Sequence, residues 1–176
     1  MLANRKISAL LIQVFLSIVL VLSLAACKEG SNSNPQTPSA PAKETVAVSF
    51  FVEDENATKI TLKNTVKLSK DNFEEDFLKA LTDEYEVVAK SFSIKNEKAV
   101  LDLDKTMTEK LNQGSTGSWM ILSKLYKTIF SIENVNEIQV LVDGEEGVEA
   151  DHFSFKGVMT QEKLSELEKG YAGEIQ

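Results

Sequence analysis

Cysteine occurs once in these 176 residues, as Cys27, and histidine once, as His152. A lone cysteine closes no internal disulfide, and no Cys/His cluster exists to hold zinc. The chain beyond Cys27 contains no thiol, which excludes a Cys-His dyad there. Proline is also scarce, and Pro35, Pro38 and Pro41 all fall in one short stretch. Lys and Arg number 19 against 27 Asp and Glu. That excess of acid argues against nucleic acid or anionic lipid headgroups as a direct partner. The sequence has no Gly-x-Ser-x-Gly elbow, no His-Glu-x-x-His and no repeat of fixed period. At this length there is room for one domain with accessories.

The N-terminus carries an address. Arg5 and Lys6 form a positive start, and Ile7 to Leu24 is almost uninterruptedly apolar, with Gln13 the one strongly polar residue. Leu24-Ala25-Ala26-Cys27 follows, and Lys28-Glu29 is at once polar. The pattern reads as a secretory signal peptide over 1–26 with a small-residue cleavage site. The tetrad resembles a bacterial lipobox, which implies a diacylglyceryl group on Cys27 and retention on the outer face of a membrane. The competing reading is an uncleaved membrane helix, since the apolar run could nearly span a bilayer. Removing Arg5 and Lys6 takes the 19 basic residues to 17 against 27 acidic ones, a net of −10. Residues 27–44 are the lipidated cysteine and a Ser/Pro/Asn linker with no apolar side chain larger than Ala over 28–43. Such a stretch has nothing to bury and is expected to be disordered. As a coil it reaches about 20–25 Å, a tether that lifts a domain clear of headgroups.

The best-defined stretch of the globular part runs from Gly114 to Gly144. Ser115, Thr116 and Ser118 sit where a side-chain oxygen could cap a first helical turn. Trp119, Leu122, Tyr126 and Ile129, flanked by Ile121, Leu125 and Ile132, then mark one wide apolar face, with Ser123, Lys124, Lys127 and Ser131 predicted to point away. After Glu133-Asn134 the alternation of Ile138, Val140 and Val142 predicts a half-buried strand that Asp143-Gly144 turns. Upstream, Val46 to Val52 and Ile60 to Leu68 read as two strands, with Asn64 an irregularity. Asp71 and Glu74 resemble a capping box for a helix carrying Phe73, Phe77, Leu78 and Leu81. Val87-Val88, Phe92 and Ile94 predict a strand, turned by Lys95 to Lys98 into its partner Ala99, Leu101 and Leu103. Met107 and Leu111 suggest a short helical turn. Phe153, Phe155 and Val158 suggest a last strand, and 159–176 a short C-terminal helix or tail. The order β-β-α-β-β-α-β-β predicts an α/β (α+β) two-layer sandwich, one mixed sheet with two main helices. Helices between strands allow some parallel neighbours by right-handed crossover.

Candidates for chemistry are few. His152 beside Asp151 could be a base or ligand, but a surface histidine at a strand start is the plainer reading. The Gly114–Gly117 turn opens a helix, yet it lacks the Lys-Ser/Thr pair of a phosphate loop. Acidic runs at Glu53-Asp54-Glu55 and from Asp143 to Glu149 lack the spacing of a calcium loop. Trp119 and Tyr126, seven apart, fit a core stripe better than a stacking platform. No catalytic residue, metal site or cofactor is expected.

The stretch Gly114–Gly144 resembles the GerMN domain of the GerM sporulation and spore-germination family. The resemblance rests on the Gly114-Ser115 turn, the helix with Leu122, Leu125, Thr128 and Ile129, then Val135 and the strand ending in Val142-Asp143-Gly144. The hairpin 91–104 and the strand Val46–Val52 extend it over about 45–158. Leu78–Val88 departs from the family pattern, having neither its Gly-Pro nor its Pro-Gly turn. The resemblance implies a fold similar to ring-building motifs of secretion systems, and a membrane-anchored extracytoplasmic domain with no catalytic residues. Family-motif residues Gly114, Ser115, Leu122, Thr128, Val142, Asp143 and Gly144 are then structural. The function expected is a Gram-positive-type lipoprotein acting through protein contacts in sporulation, germination or envelope assembly. The partners are the membrane, through lipid on Cys27, and an unidentified protein. The alternatives are a lipoprotein that binds a small molecule or glycan and, last, an anchored hydrolase using His152.

Overall fold

The computed structural model describes residues 43–56, 58–112, 114–150 and 153–174. The predicted signal peptide, Cys27, the linker up to residue 42, Asp151 and His152 lie outside the described residues.

The chain begins with β1 (Thr45–Glu53) and β2 (Ile60–Ser69), an antiparallel pair. Its register shifts where Phe50 faces Asn64 and Phe51 faces Leu62, so the irregularity expected at Asn64 is a bulge with Lys63 as the extra residue. Helix α1 (Phe73–Tyr85) follows, with Glu74, Glu75 and Asp76 in its first turn where the helix dipole favours anions. The predicted capping box is not formed. The N-cap residue is Asn72, and no side chain caps it. Asp71 therefore precedes the cap, one position out of register for the reciprocal bond. The helix closes with Glu86 in the left-handed conformation.

Strands β3 (Ala89–Lys95) and β4 (Lys98–Leu103) form the expected hairpin, turned by Asn96 and Glu97, both at positive φ. Val87 and Val88 were expected in β3 but precede it. The cap of α1 occupies Glu86, and the Val88 carbonyl accepts from the Asp104 amide. A short helix α2 (Thr106–Leu111), with Met107 and Leu111 buried, leads into α3 (Ser115–Phe130). Strand β5 (Glu137–Val142) runs parallel to β4, the crossover that the helix between them makes possible.

The last predicted strand is two. β6 (Glu149–Ala150) pairs with β7 (Phe153–Ser154), and β8 (Val158–Thr160) pairs antiparallel with β5. Gly157, at φ +77°, separates them with a bend that a side chain would strain. Helix α4 (Gln161–Glu174) ends the described chain and is longer than a frayed tail.

The fold is mixed α+β. The mixed sheet has four strands in the order β3-β4-β5-β8, and β1-β2 is a separate hairpin rather than part of it. Leu101, Leu103, Ile138, Val140 and Val142 line the sheet's buried face. Helix α1 packs on β3, and α3 touches β5, β1, α2 and α4. Phe77 and Phe92 meet with ring centroids 4.3 Å apart, and Phe73 and Phe50–Tyr85 extend this aromatic core. Along the sheet's other face Ser91, Ser93 and Lys95 are exposed, while Val100, Asp102 and Leu141 are half-buried. Among the described residues no helix is long and apolar enough to cross a membrane.

Candidate functional site

Gly114 opens the central unit at φ +105°, ψ 151°, a region that only glycine occupies without strain. The Ser118 hydroxyl does not cap the helix as predicted. Ser118 lies inside α3, is buried, and donates backwards to the carbonyls of Gly114 (2.7 Å) and Leu111. A serine one turn into a helix reaches the carbonyl four residues back more easily than a free amide ahead.

Ser123 was expected on the solvent face, but it is fully buried and donates to Glu168 of α4 at 3.1 Å. Lys127 pairs with the same carboxylate at 2.8 Å, and Lys124 with Glu53 of β1 at 2.6 Å. The lysines lie at the edges of contacts with neighbouring elements rather than on an open face. Trp119 and Tyr126 are 4 % and 6 % exposed, and Trp119 stacks on Phe153 at 6.3 Å. They are core, and burial pushes the Tyr126 hydroxyl well above its usual pKa.

Thr128 is fully buried, and its hydroxyl lies 2.8 Å from the Tyr85 phenol oxygen. The same oxygen accepts the Phe51 amide of β1 at 2.8 Å. One turn on, the Ser131 hydroxyl accepts the Ser49 amide at 2.8 Å and donates to the Thr128 carbonyl at 2.7 Å. Two outward amides of β1 are thus satisfied by the hydroxyls of Tyr85 in α1 and of Ser131, the residue that ends α3. Sequence reading missed this arrangement. The only hint was a tyrosine at the end of a helix whose other large apolar residues were Phe and Leu.

Asp143 and Gly144 make a two-residue turn at φ 53° and 81°, with Val142 and Glu145 exchanging both main-chain bonds at 3.0 Å. The Asp143 carboxylate accepts the Lys105 amide at 3.0 Å and pairs with Lys90 at 2.7 Å. The Lys90 ammonium holds this carboxyl below the usual range. Asp102 accepts the Gly144 amide at 2.9 Å, and Asp104 accepts the amide and hydroxyl of Thr106. Asp102 therefore fastens the C-terminal ends of β4 and β5 together, and Asp104 holds the turn into α2, instead of simply facing water. Leu122 and Val142 are buried in the core, and Ser115 is the first residue of α3.

Two surface features remain. An open cleft of about 1090 Å³ lies beside the start of β1 and α1, floored by Val46, Phe73, Ile94 and Ile132 and rimmed by Glu74 and Glu133. The outer strand β2 is exposed along most of its length. Among the described residues no group of three His, Cys, Asp or Glu side chains is placed to hold a metal ion.

The family model described as Germane, sporulation and spore germination, matches residues 29–148. Comparison with curated proteins finds no match. Among solved structures, a putative lipoprotein from Clostridium perfringens is similar at 18 % identity and a TM-score of 0.43, covering 72 % of this chain and 94 % of that one. The tandem GerMN domains of the sporulation protein GerM from Bacillus subtilis are similar at 14 % identity and a TM-score of 0.44. That match covers 73 % of this chain and 48 % of the tandem chain, so this protein spans about half its length. With the family model covering 29–148, the chain belongs to the Germane family of sporulation and spore-germination proteins and carries a GerMN-type domain.

Proposed function

We propose that this protein is a lipoprotein anchored through Cys27 on the extracytoplasmic face of the cell membrane. Its GerMN domain works without catalysis, through contacts with a protein partner in sporulation, germination or envelope assembly. The observation that carries the reading is one of adjacency: Leu24-Ala25-Ala26-Cys27 ends the apolar segment, and the family match begins at residue 29. Polar groups of the central unit support it. The hydroxyls of Ser118, Ser123 and Thr128 and the Asp143 carboxylate are all engaged in bonds that hold elements together. Such a unit presents a surface more readily than it offers a reacting group.

Cys27→Ala tests the anchor. Metabolic labelling with a palmitate analogue and fractionation should show loss of the label and of mature membrane-bound protein. Unchanged labelling and membrane retention would contradict it.

The alternative, a lipoprotein binding a small molecule or glycan, is favoured by the cleft between β1 and α1. Against it, Trp119 and Tyr126, the aromatic pair best suited to stack on a sugar, are buried.

A further inference from the structure

The register of the β1–β2 hairpin decides which main-chain groups turn outward. The amides of Ser49 and Phe51 leave the hairpin to meet Ser131 and Tyr85, so these positions point away from β2. Their partners across the pair, Thr65 and Leu62, point away from β1 in the same way. Bonds from Lys70 to Glu44 and from Asp54 to Lys59 keep this alternation at both ends, which adds Ile60, Lys67 and Ser69 to the outward set. The two edges then differ. The far edge of β1 is met by two hydroxyls, whereas the sheet ends at β2 with no third strand among the described residues.

This ten-residue edge is exposed from Thr61 to Thr65 and again at Lys67, and Leu62 is 59 % exposed. Its charge is of one sign. Lys59, Lys63, Lys67 and Lys70 lie along or beside it, with no acidic residue from Ile60 to Ser69, in a chain of net charge −8. Lys63 and Lys70 are ion-paired with Glu84 and Glu44. An open strand edge is a template for a further strand. A second copy of β2 would set lysine against lysine, and its bulge would break the shared ladder.

We propose that the outer edge of β2 receives an extended acidic strand from a protein partner. The strand pairs main chain with Thr65, Lys67 and Ser69 and sets a carboxylate near Lys67. This deepens the proposed function, because it rests on the reading that the domain acts through protein contact.

The test uses the full-length lipidated protein in detergent. The probe is a fluorescein-labelled, acetylated seven-residue peptide alternating Glu with Val and Thr, compared with its Lys-for-Glu counterpart. The acidic peptide should bind, raise anisotropy and slow amide exchange at Thr65, Lys67 and Ser69 by about tenfold or more at saturation. Lys67→Glu should weaken binding about fivefold or more at low salt. Thr65→Pro should abolish binding while keeping the hairpin, because that amide makes no bond to β1. Equal binding of both peptides, protection on another element, or no binding would overturn the proposal, as would dimerisation through β2. In-cell crosslinks to a partner through another face would sink the edge assignment alone and leave protein contact standing.

Discussion

Tyr85 joins three elements through one oxygen, which receives the Phe51 amide of β1 and shares a hydrogen bond with Thr128 of α3. Removing it strands two groups in a nearly closed environment. Tyr85→Phe is therefore expected to destabilise the domain by about 1–3 kcal/mol in urea titration. Thr128→Val should cost less on top of Tyr85→Phe than alone, because the pair shares one bond. Additive effects would mean the two hydroxyls act independently. Exposed carboxylates act in the other direction with pH. Asp143 is held below its ordinary pKa by Lys90, Asp104 by Thr106, and Asp54 by Thr58. A carboxyl whose folded pKa is depressed adds stability above its unfolded value, about 3.9, and that stability is lost as pH falls through the folded value. The urea midpoint should thus decline below about pH 4, and Asp143→Asn should flatten that decline. An unchanged acid limb in the variant would remove Asp143 from the account.

Helix α3 shows how far element-scale reading went. Its apolar period gave its core face and the strand after it, since Trp119, Leu122, Leu125, Tyr126 and Ile129 are all buried, although the helix stops at Phe130, short of Ile132. The period missed that its polar side is covered too. Ser123 is buried against α4, a contact made by residues far along the chain that no local pattern encodes. A signal was available: only Lys124 and Lys127 are charged among its 16 residues, which is little for a solvent-facing side. The capping predictions failed for a related reason. A hydroxyl near a helix start fits either a forward cap or a backward bond, and Ser118 takes the second. Turns read more truly: Asp143-Gly144 and Asn96-Glu97 take positive φ at both positions, and Asp143, Gly144 and Asn96 are residue types that tolerate it, whereas Glu97 is not. Two glycines extend this argument. Gly114→Ala should destabilise by about 1–3 kcal/mol, since its backbone lies where side chains are strained. Gly117→Ala, inside α3 with open space at its Cβ position, should stabilise by about 0.5–1 kcal/mol. Thermal melts of the two variants should move in opposite directions, and a shared direction would refute the assignment of the helix start.

For the whole molecule, the order of elements was legible and their partition into sheets was not. Strand pairing joins residues far apart in sequence, such as β5 with β8, and periodicity carries no record of it. Glycine and Asp-Gly leave local marks, and Gly114, Asp143 and Gly144 take the positive φ that those marks imply. A protein-contact surface leaves none, and β2 was read only as a strand. The central claim, an anchored domain that works by contact with another protein, is tested most directly by crosslinking the lipidated protein in living cells and identifying what comes with it by mass spectrometry. The account predicts protein partners of a sporulation or envelope complex, recovered from the membrane fraction and lost from it in the Cys27→Ala variant. Recovery of no protein partner from either growing or sporulating cells would contradict it.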